Sequence, residues 1–237
     1  MFKDPFRCRK NPISGNTLHK TIFWSSGFRN SAHMKSKAHT GPKPFSLRPA
    51  VAASAQGDEN SFYECGFIGV QDTLHDLIGC HFFRSCYIQG AVDFIFGDGT
   101  SMYQACLINV TGYGFITAQR RETPEEQSGF VLKFTKVFGT GPTYLGRAYG
   151  PYSRVLRHCG SKGMGPLEVA CRGNGANTSG RVGWEKTLSP AELKSLISTS
   201  FIDEEGWLRE AIPPLSSSSY PKLHAMGELH LPRSFTF

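Results

Sequence analysis

The sequence predicts an all-β fold: a parallel β-solenoid with one short C-terminal helix. Three observations predict it. The first is an internal repeat aligned on cysteine: Phe62-Tyr63-Glu64-Cys65-Gly66-Phe67, Phe83-Arg84-Ser85-Cys86-Tyr87-Ile88 and Tyr103-Gln104-Ala105-Cys106-Leu107-Ile108. Each copy has an aromatic three residues before Cys and an apolar residue two after it, and the periods are 21 and 20 residues. Repeats of ~20–30 residues built from strand-like pieces stack into solenoids. A leucine-rich repeat has a similar period, but its Leu/Asn pattern is absent. The second observation is texture: from residue 61 the chain consists of short runs rich in Phe, Tyr, Ile and Val, punctuated by Gly. The third is one helix signal. Ser189-Pro190-Ala191-Glu192 places Ser at the N-cap, Pro at the first helical position and Glu three residues after the cap. Leu193, Leu196 and Ile197 follow at helical spacing and read as the face of a packing helix.

Composition allows such a core. In 237 residues, 39% are hydrophobic and 19% charged, which excludes wholesale disorder. No apolar run reaches the ~18 residues of a membrane span. Residues 1–48 carry ten Lys/Arg and one acid, whereas residues 49–237 carry sixteen Lys/Arg and eighteen acids. The basic excess therefore lies in the leading segment, which weakens a nucleic-acid role for the folded part. Residues 1–48 read as an irregular or incomplete N-terminal segment, 49–212 as the solenoid domain, and 213–237, with Pro213-Pro214 and Ser216–Ser219, as a tail.

The seven cysteines contain no CxxC spacing, so zinc and thioredoxin-type motifs are not expected. Asn109-Val110-Thr111 and Asn177-Thr178-Ser179 are glycosylation sequons, meaningful only for an exported chain. Met1 begins no signal peptide; the apolar stretch at 21–28 is short and interrupted. Either secretion is lost or the natural start lies upstream.

The repeat also aligns two carboxylates. Asp72 lies seven residues after Cys65, and Asp93 seven after Cys86. Stacking in register would bring them to about one strand spacing, ~4.8 Å. Two carboxylates that close split their protonation, leaving one acid and one ionised nucleophile or base. The alternative is two solvated turn residues. Asp93 lies in the apolar run Val92-Asp93-Phe94-Ile95-Phe96, where a carboxylate requires a partner. Arg147 is the candidate, as a bidentate clamp. Gln71 can donate its amide to a developing oxyanion. Tyr149, two residues after Arg147, could stack on a sugar ring or simply pack.

These residues resemble the plant-type pectinesterases (pectin methylesterases). Gly69-Val70-Gln71-Asp72-Thr73-Leu74 is similar to that family's GxQDTL motif. Ile88-Gln89-Gly90-Ala91-Val92-Asp93-Phe94-Ile95-Phe96-Gly97 is similar to its active-site signature. Phe115-Ile116-Thr117-Ala118-Gln119, Tyr144-Leu145-Gly146-Arg147, the stretch from Gly175 to Val182, and Ser200-Phe201-Ile202-Asp203 resemble further family motifs, in the right order over about residues 49–210.

The resemblance implies a right-handed parallel β-helix, the pectin-lyase-like solenoid. It implies hydrolysis of galacturonate methyl esters in pectin to pectate and methanol. Asp93 resembles the nucleophile, Asp72 the acid that protonates methanol and then activates water, Gln71 an oxyanion donor, and Arg147 the residue that orients the nucleophile. Arg147 and Tyr149 resemble substrate-binding positions, and Cys86 and Cys106 the family's disulfide pair. It further implies no metal and no organic cofactor, and a monomer acting on homogalacturonan in the cell wall. A proteinaceous inhibitor is an implied partner; nucleic acid is not.

The departures from the family are specific. Its second oxyanion glutamine is Pro49 here, and removing one oxyanion donor costs ~10²–10³ in rate. Its tryptophan after the arginine is Tyr149. A GxYxE motif is not recognisable in residues 1–48, where only the stretch 11–26 faintly resembles the early turns, and the PEGW loop expected after Arg157 is shortened. Two alternatives follow: a family member that binds pectin without hydrolysing it, and a β-helix glycoside hydrolase. Two carboxylates ~5 Å apart would suit retaining glycosidase chemistry.

Overall fold

A computed structural model describes residues 33–35, 49–140, 142–159 and 188–211. The rest of the leading segment 1–48, the stretch from Gly175 to Val182 and the tail 213–237 lie outside the described residues. Among the described residues, fifteen strands run in a three-beat order: β1 (His33–Lys35), β2 (Ala53–Gln56), β3 (Asn60–Tyr63), β4 (Gly66–Ile68), β5 (Leu74–Ile78), β6 (Cys80–Arg84), β7 (Tyr87–Gly90), β8 (Ile95–Gly97), β9 (Thr100–Gln104), β10 (Leu107–Val110), β11 (Gly114–Gln119), β12 (Gly129–Lys133), β13 (Lys136–Gly139), β14 (Thr143–Ala148) and β15 (Val155–His158). Each strand pairs in parallel with the strands three places before and after it, giving three five-stranded sheets: β1-β4-β7-β10-β13, β2-β5-β8-β11-β14 and β3-β6-β9-β12-β15. This is the parallel β-helix that the repeat predicts, one strand per sheet in each turn.

The repeat works through stacking. The aromatic before each cysteine forms a ladder: Phe62 lies 4.7 Å from Phe83, and Phe83 4.6 Å from Tyr103, with ring planes within 8° and 6° of parallel. Centroid spacing thus matches strand spacing. The apolar residue after each cysteine forms a second ladder, with Phe67, Ile88 and Ile108 in register and fully buried. Between these ladders the chain bends through a left-handed residue in every turn: Glu64, Ser85, Ala105 and Phe134 all have φ between 53° and 56°. The fourth copy carries Thr135 in place of cysteine and keeps the bend.

The Cys86–Cys106 disulfide implied by the resemblance is not formed. Both are buried thiols. The Cys86 Sγ approaches the Phe62 carbonyl at 3.4 Å, and the Cys106 Sγ approaches the Phe83 carbonyl at 3.5 Å. Each sulfur thus meets a carbonyl of the aromatic ladder, the Cys86 thiol is also hydrogen-bonded to Cys106 and Cys65 without a covalent bridge, and burial raises its pKa, keeping it protonated. Among the described residues, Cys80 and Cys159 are the disulfide-bonded cysteines.

Helix α1 (Pro190–Ile197) has the expected start. Ser189 accepts from the Glu192 backbone N–H, and the Glu192 carboxylate accepts from the Ser189 N–H. The Lys133 ammonium donates to the Ile197 carbonyl at the other end, 2.7 Å away. Leu193 and Leu196 are its buried residues. Leu196 joins Phe82, Met102, Val131, Phe201 and Ile202 in a second apolar cluster outside the solenoid core. The helix therefore covers the outer face of the β3-β6-β9-β12-β15 sheet.

A third feature escapes the repeat. The Asp76 carboxylate is fully buried between turns, where it meets His81 Nδ1 and accepts from the Tyr103 hydroxyl. His81 Nε2 reaches the Gly57 carbonyl at 2.7 Å.

Candidate active site

The middle sheet, β2-β5-β8-β11-β14, carries the site. Asp72 and Asp93 sit at the corners where the chain enters β5 and β8. Both are left-handed, with φ of 57° and 49°. Carboxylate residues tolerate this conformation better than most. Gln71 bridges in parallel to Val92, and the Asp72 N–H donates to the Val92 carbonyl at 3.1 Å. The two carboxylates are thus one turn apart in register, as the seven-residue spacing predicts.

Arg147 arrives from β14. Its Nε donates to both Asp93 carboxylate oxygens at 2.9 Å, and its Nη2 donates to Oδ2 at 2.7 Å. Asp93 is 8% exposed and the Arg147 side chain 38%. Gly146 makes this reach available. A Cβ there would stand 2.2 Å from the Thr117 hydroxyl, which itself donates to the Leu145 carbonyl. The backbone of β14 therefore packs directly onto β11 beside the arginine.

Electrostatics separate the two acids. Burial raises the Asp72 pKa, the neighbouring Asp93 charge raises it further, and Arg147 partly offsets both. The hydrogen bond to Asp93 raises the Arg147 pKa against partial burial. The raised pKa suits Asp72 to hold a proton, while the guanidinium fork aims Asp93. This arrangement offers a nucleophilic carboxylate beside a carboxylic acid.

The sequence-predicted residues therefore converge: Asp72, Asp93 and Arg147 directly, with Gln71 adjoining Asp72. Tyr149 stands at the rim, 53% exposed, with the guanidinium carbons of Arg147 and Arg120 at 5.3 and 5.8 Å from its ring centroid. An exposed phenol with two guanidinium groups beside it suits a hydroxyl-rich or anionic sugar. Pro49 is exposed, and the next residue, Ala50, donates its N–H to the Gln71 carbonyl at 3.2 Å. The run from Pro49 thus lies against the turn that carries Gln71, with no side-chain donor at that position. Among the described residues, no cluster of His, Cys, Asp and Glu could hold a metal ion. Sequence reasoning missed His75, whose ring stacks on Phe96 in this same sheet; a histidine one residue beyond the GxQDTL motif was the available signal.

Residues 30–162 match the family model described as Pectinesterase. The chain belongs to the pectinesterase family. It is 38% identical over 233 residues to "Probable pectinesterase 29" of Arabidopsis thaliana, covering 87% of this chain and 69% of that protein. It is 43% identical over 183 residues to "Pectinesterase QRT1" of the same plant, covering 68% of this chain and 48% of that one. Among solved structures it is similar to "Pectin methylesterase from Carrot", with 29% identity, TM-score 0.59, and coverage of 70% of this chain and 64% of that one. It also resembles the Aspergillus niger pectin methylesterase, with 25% identity, TM-score 0.57, and coverage of 74% and 63%. The chain thus spans somewhat less than two thirds of these solved pectin methylesterases. No helix among the described residues is long and apolar enough to cross a membrane.

Proposed function

We propose that this pectinesterase-family chain hydrolyses the methyl esters of galacturonate in pectin, in the plant cell wall, giving pectate and methanol. The observation that carries the reading is the pairing of an arginine-clamped Asp93 with an Asp72 of raised pKa one turn away. An Asp93 carboxylate oxygen attacks the ester carbonyl carbon, and the Gln71 amide donates to the resulting oxyanion. The tetrahedral intermediate collapses, the bond to the methoxy oxygen breaks, and Asp72 transfers its proton to that oxygen, releasing methanol. Asp72, now a carboxylate, takes a proton from water as the hydroxide attacks the acyl–Asp93 anhydride. The new carboxylic acid leaves and gives its proton to solvent as galacturonate, Asp93 returns to a carboxylate, and Asp72 is again protonated. Arg147 keeps Asp93 aimed through both steps. Tyr149 offers a face for a neighbouring sugar.

The test is methanol release from highly methylated pectin by purified protein, with Asp93→Asn as control. Release that the control abolishes is expected. A folded protein that releases none sinks the reading, and new reducing ends without methanol would favour the glycosidase instead.

A further inference from the structure

The outer face of the middle sheet holds a row of residues paired across all five strands: Ser54, His75, Phe96, Ala118 and Arg147. Their inward neighbours Leu74 and Ile95 are buried in the core, so His75 and Phe96 point away from it. Arg147 reaches from the far end of this row to Asp93. His75 lies three strand spacings from Arg147, about 14 Å, and three residues after Asp72, which stands at the left-handed corner before β5. A polymer that ran from Asp93 along this row, across the strands, would pass over His75.

The imidazole is held in a defined pose. It stacks on Phe96 at 4.5 Å between centroids and 6° between planes. Its Nδ1 meets the Ser54 hydroxyl at 3.3 Å. Nε2 is left for a ligand. The groups facing it from β2 and β8, Ser54 and Phe96, carry no charge. On its own strand, Asp72 stands at the entry to β5, and Asp76 points inward to His81. Among the described residues, no carboxylate on the outer face pairs with the ring, so its charge is available to a ligand.

We propose that His75 is a specificity-determining residue that, when protonated, binds the free carboxylate of a de-esterified galacturonate. The proposal rests on the pectin-ester reading above and deepens it: the ligand is the product unit of the same polymer. Burial lowers the His75 pKa below 6.5, with Asp76 partly compensating, so the charge appears only on the acidic side. A bound carboxylate must in turn raise that pKa, because the coupling is reciprocal.

The probe is unesterified oligogalacturonate, which carries no ester and is not turned over. Its affinity for the full chain is measured by calorimetry at pH 5 and pH 7.5, in wild type, His75→Gln and His75→Phe. Asp72 also titrates with pH, and the variants subtract its share. A half-exposed ion pair contributes up to ~1 kcal/mol, so the His75-dependent gain at pH 5 should be about fivefold. His75→Phe keeps a ring over Phe96 and should lose the gain as fully as His75→Gln. In wild type, the NMR titration of the His75 ring should shift to higher pH on saturation. A merely structural histidine would show no such shift, and this readout stands if the variants do not fold. Equal pH dependence in wild type and variants, an unmoved His75 titration, or no binding at pH 5 would each overturn the proposal. Methanol release with no His75 effect sinks this inference alone, whereas a His75-dependent affinity without methanol release sinks the esterase reading alone.

Discussion

Replacing Arg147 by Lys separates the charge of the clamp from its geometry. Arginine makes three contacts to Asp93, at 2.9, 2.9 and 2.7 Å. An ammonium keeps the positive charge but gives a single point donor, so about two contacts are lost. A hydrogen bond to a charged group contributes about 1.5–3 kcal/mol. The arginine side chain is 38% exposed, so the low end applies, and the loss is about 2–3 kcal/mol in total. If that energy aims the nucleophile, kcat falls roughly 30- to 150-fold. The same contacts hold Asp93, which is 8% exposed, so the melting temperature should fall as well, by about 2–4 °C for each kcal/mol lost. The assay is initial methanol release across a range of pectin concentrations, with thermal melts alongside. An Arg147→Lys protein whose kcat stays within about threefold of wild type would refute the reasoning. So would a loss expressed wholly in KM, which would make Arg147 a binding residue and not an aiming one.

Two further outcomes follow from the titrating groups. Asp72 must be protonated for methanol to leave, so kcat/KM should fall as pH rises through its raised pKa; removing the Asp93 charge with Asp93→Asn should move the Asp72 titration downward, seen by carboxyl-carbon NMR, and an unmoved titration would deny the coupling. The His81 pKa is raised overall: burial lowers it, but the Asp76 charge, the Asp76 hydrogen bond and the Gly57 carbonyl outweigh burial. The stability from this pair is therefore complete below the unfolded value near 6.5 and is lost as pH rises through the folded one. Urea midpoints should drop on the alkaline side in wild type. In His81→Gln that pH dependence should flatten while the protein loses about 3–5 kcal/mol at acidic pH; a variant with an unchanged pH profile would show that His81 does not titrate within the fold.

The parts of this molecule legible in its sequence are those that the stack repeats. Phe62, Phe83 and Tyr103 recur because rings must lie over rings at the strand spacing, and Asp72 and Asp93 share a register for the same reason. The helix start at Ser189 was legible because its capping groups are local. The Asp76–His81–Tyr103 network was not, because its members lie 5 and 27 residues from Asp76 and occur once. A histidine beside the apolar pair Phe82-Phe83 was the available sign, since a buried imidazole requires partners. The state of Cys86 and Cys106 was not legible either. Stacked cysteines are spaced well enough for a bridge, but whether the two sulfurs bond covalently or stay as hydrogen-bonded thiols is not something spacing encodes.

The left-handed corners at Asp72 and Asp93 constrain how this site can change over time. Most residues with a Cβ resist that conformation, whereas Asn and Gly accept it. A lineage that abandoned the chemistry would still need the corner to keep its turns in stack. Its substitutions would collect as Asn or Gly, and Val or Ile would be purged for reasons unrelated to catalysis. Asparagine at either corner would thus be the signature of a site retired without damage to its scaffold; this chain carries aspartate at both.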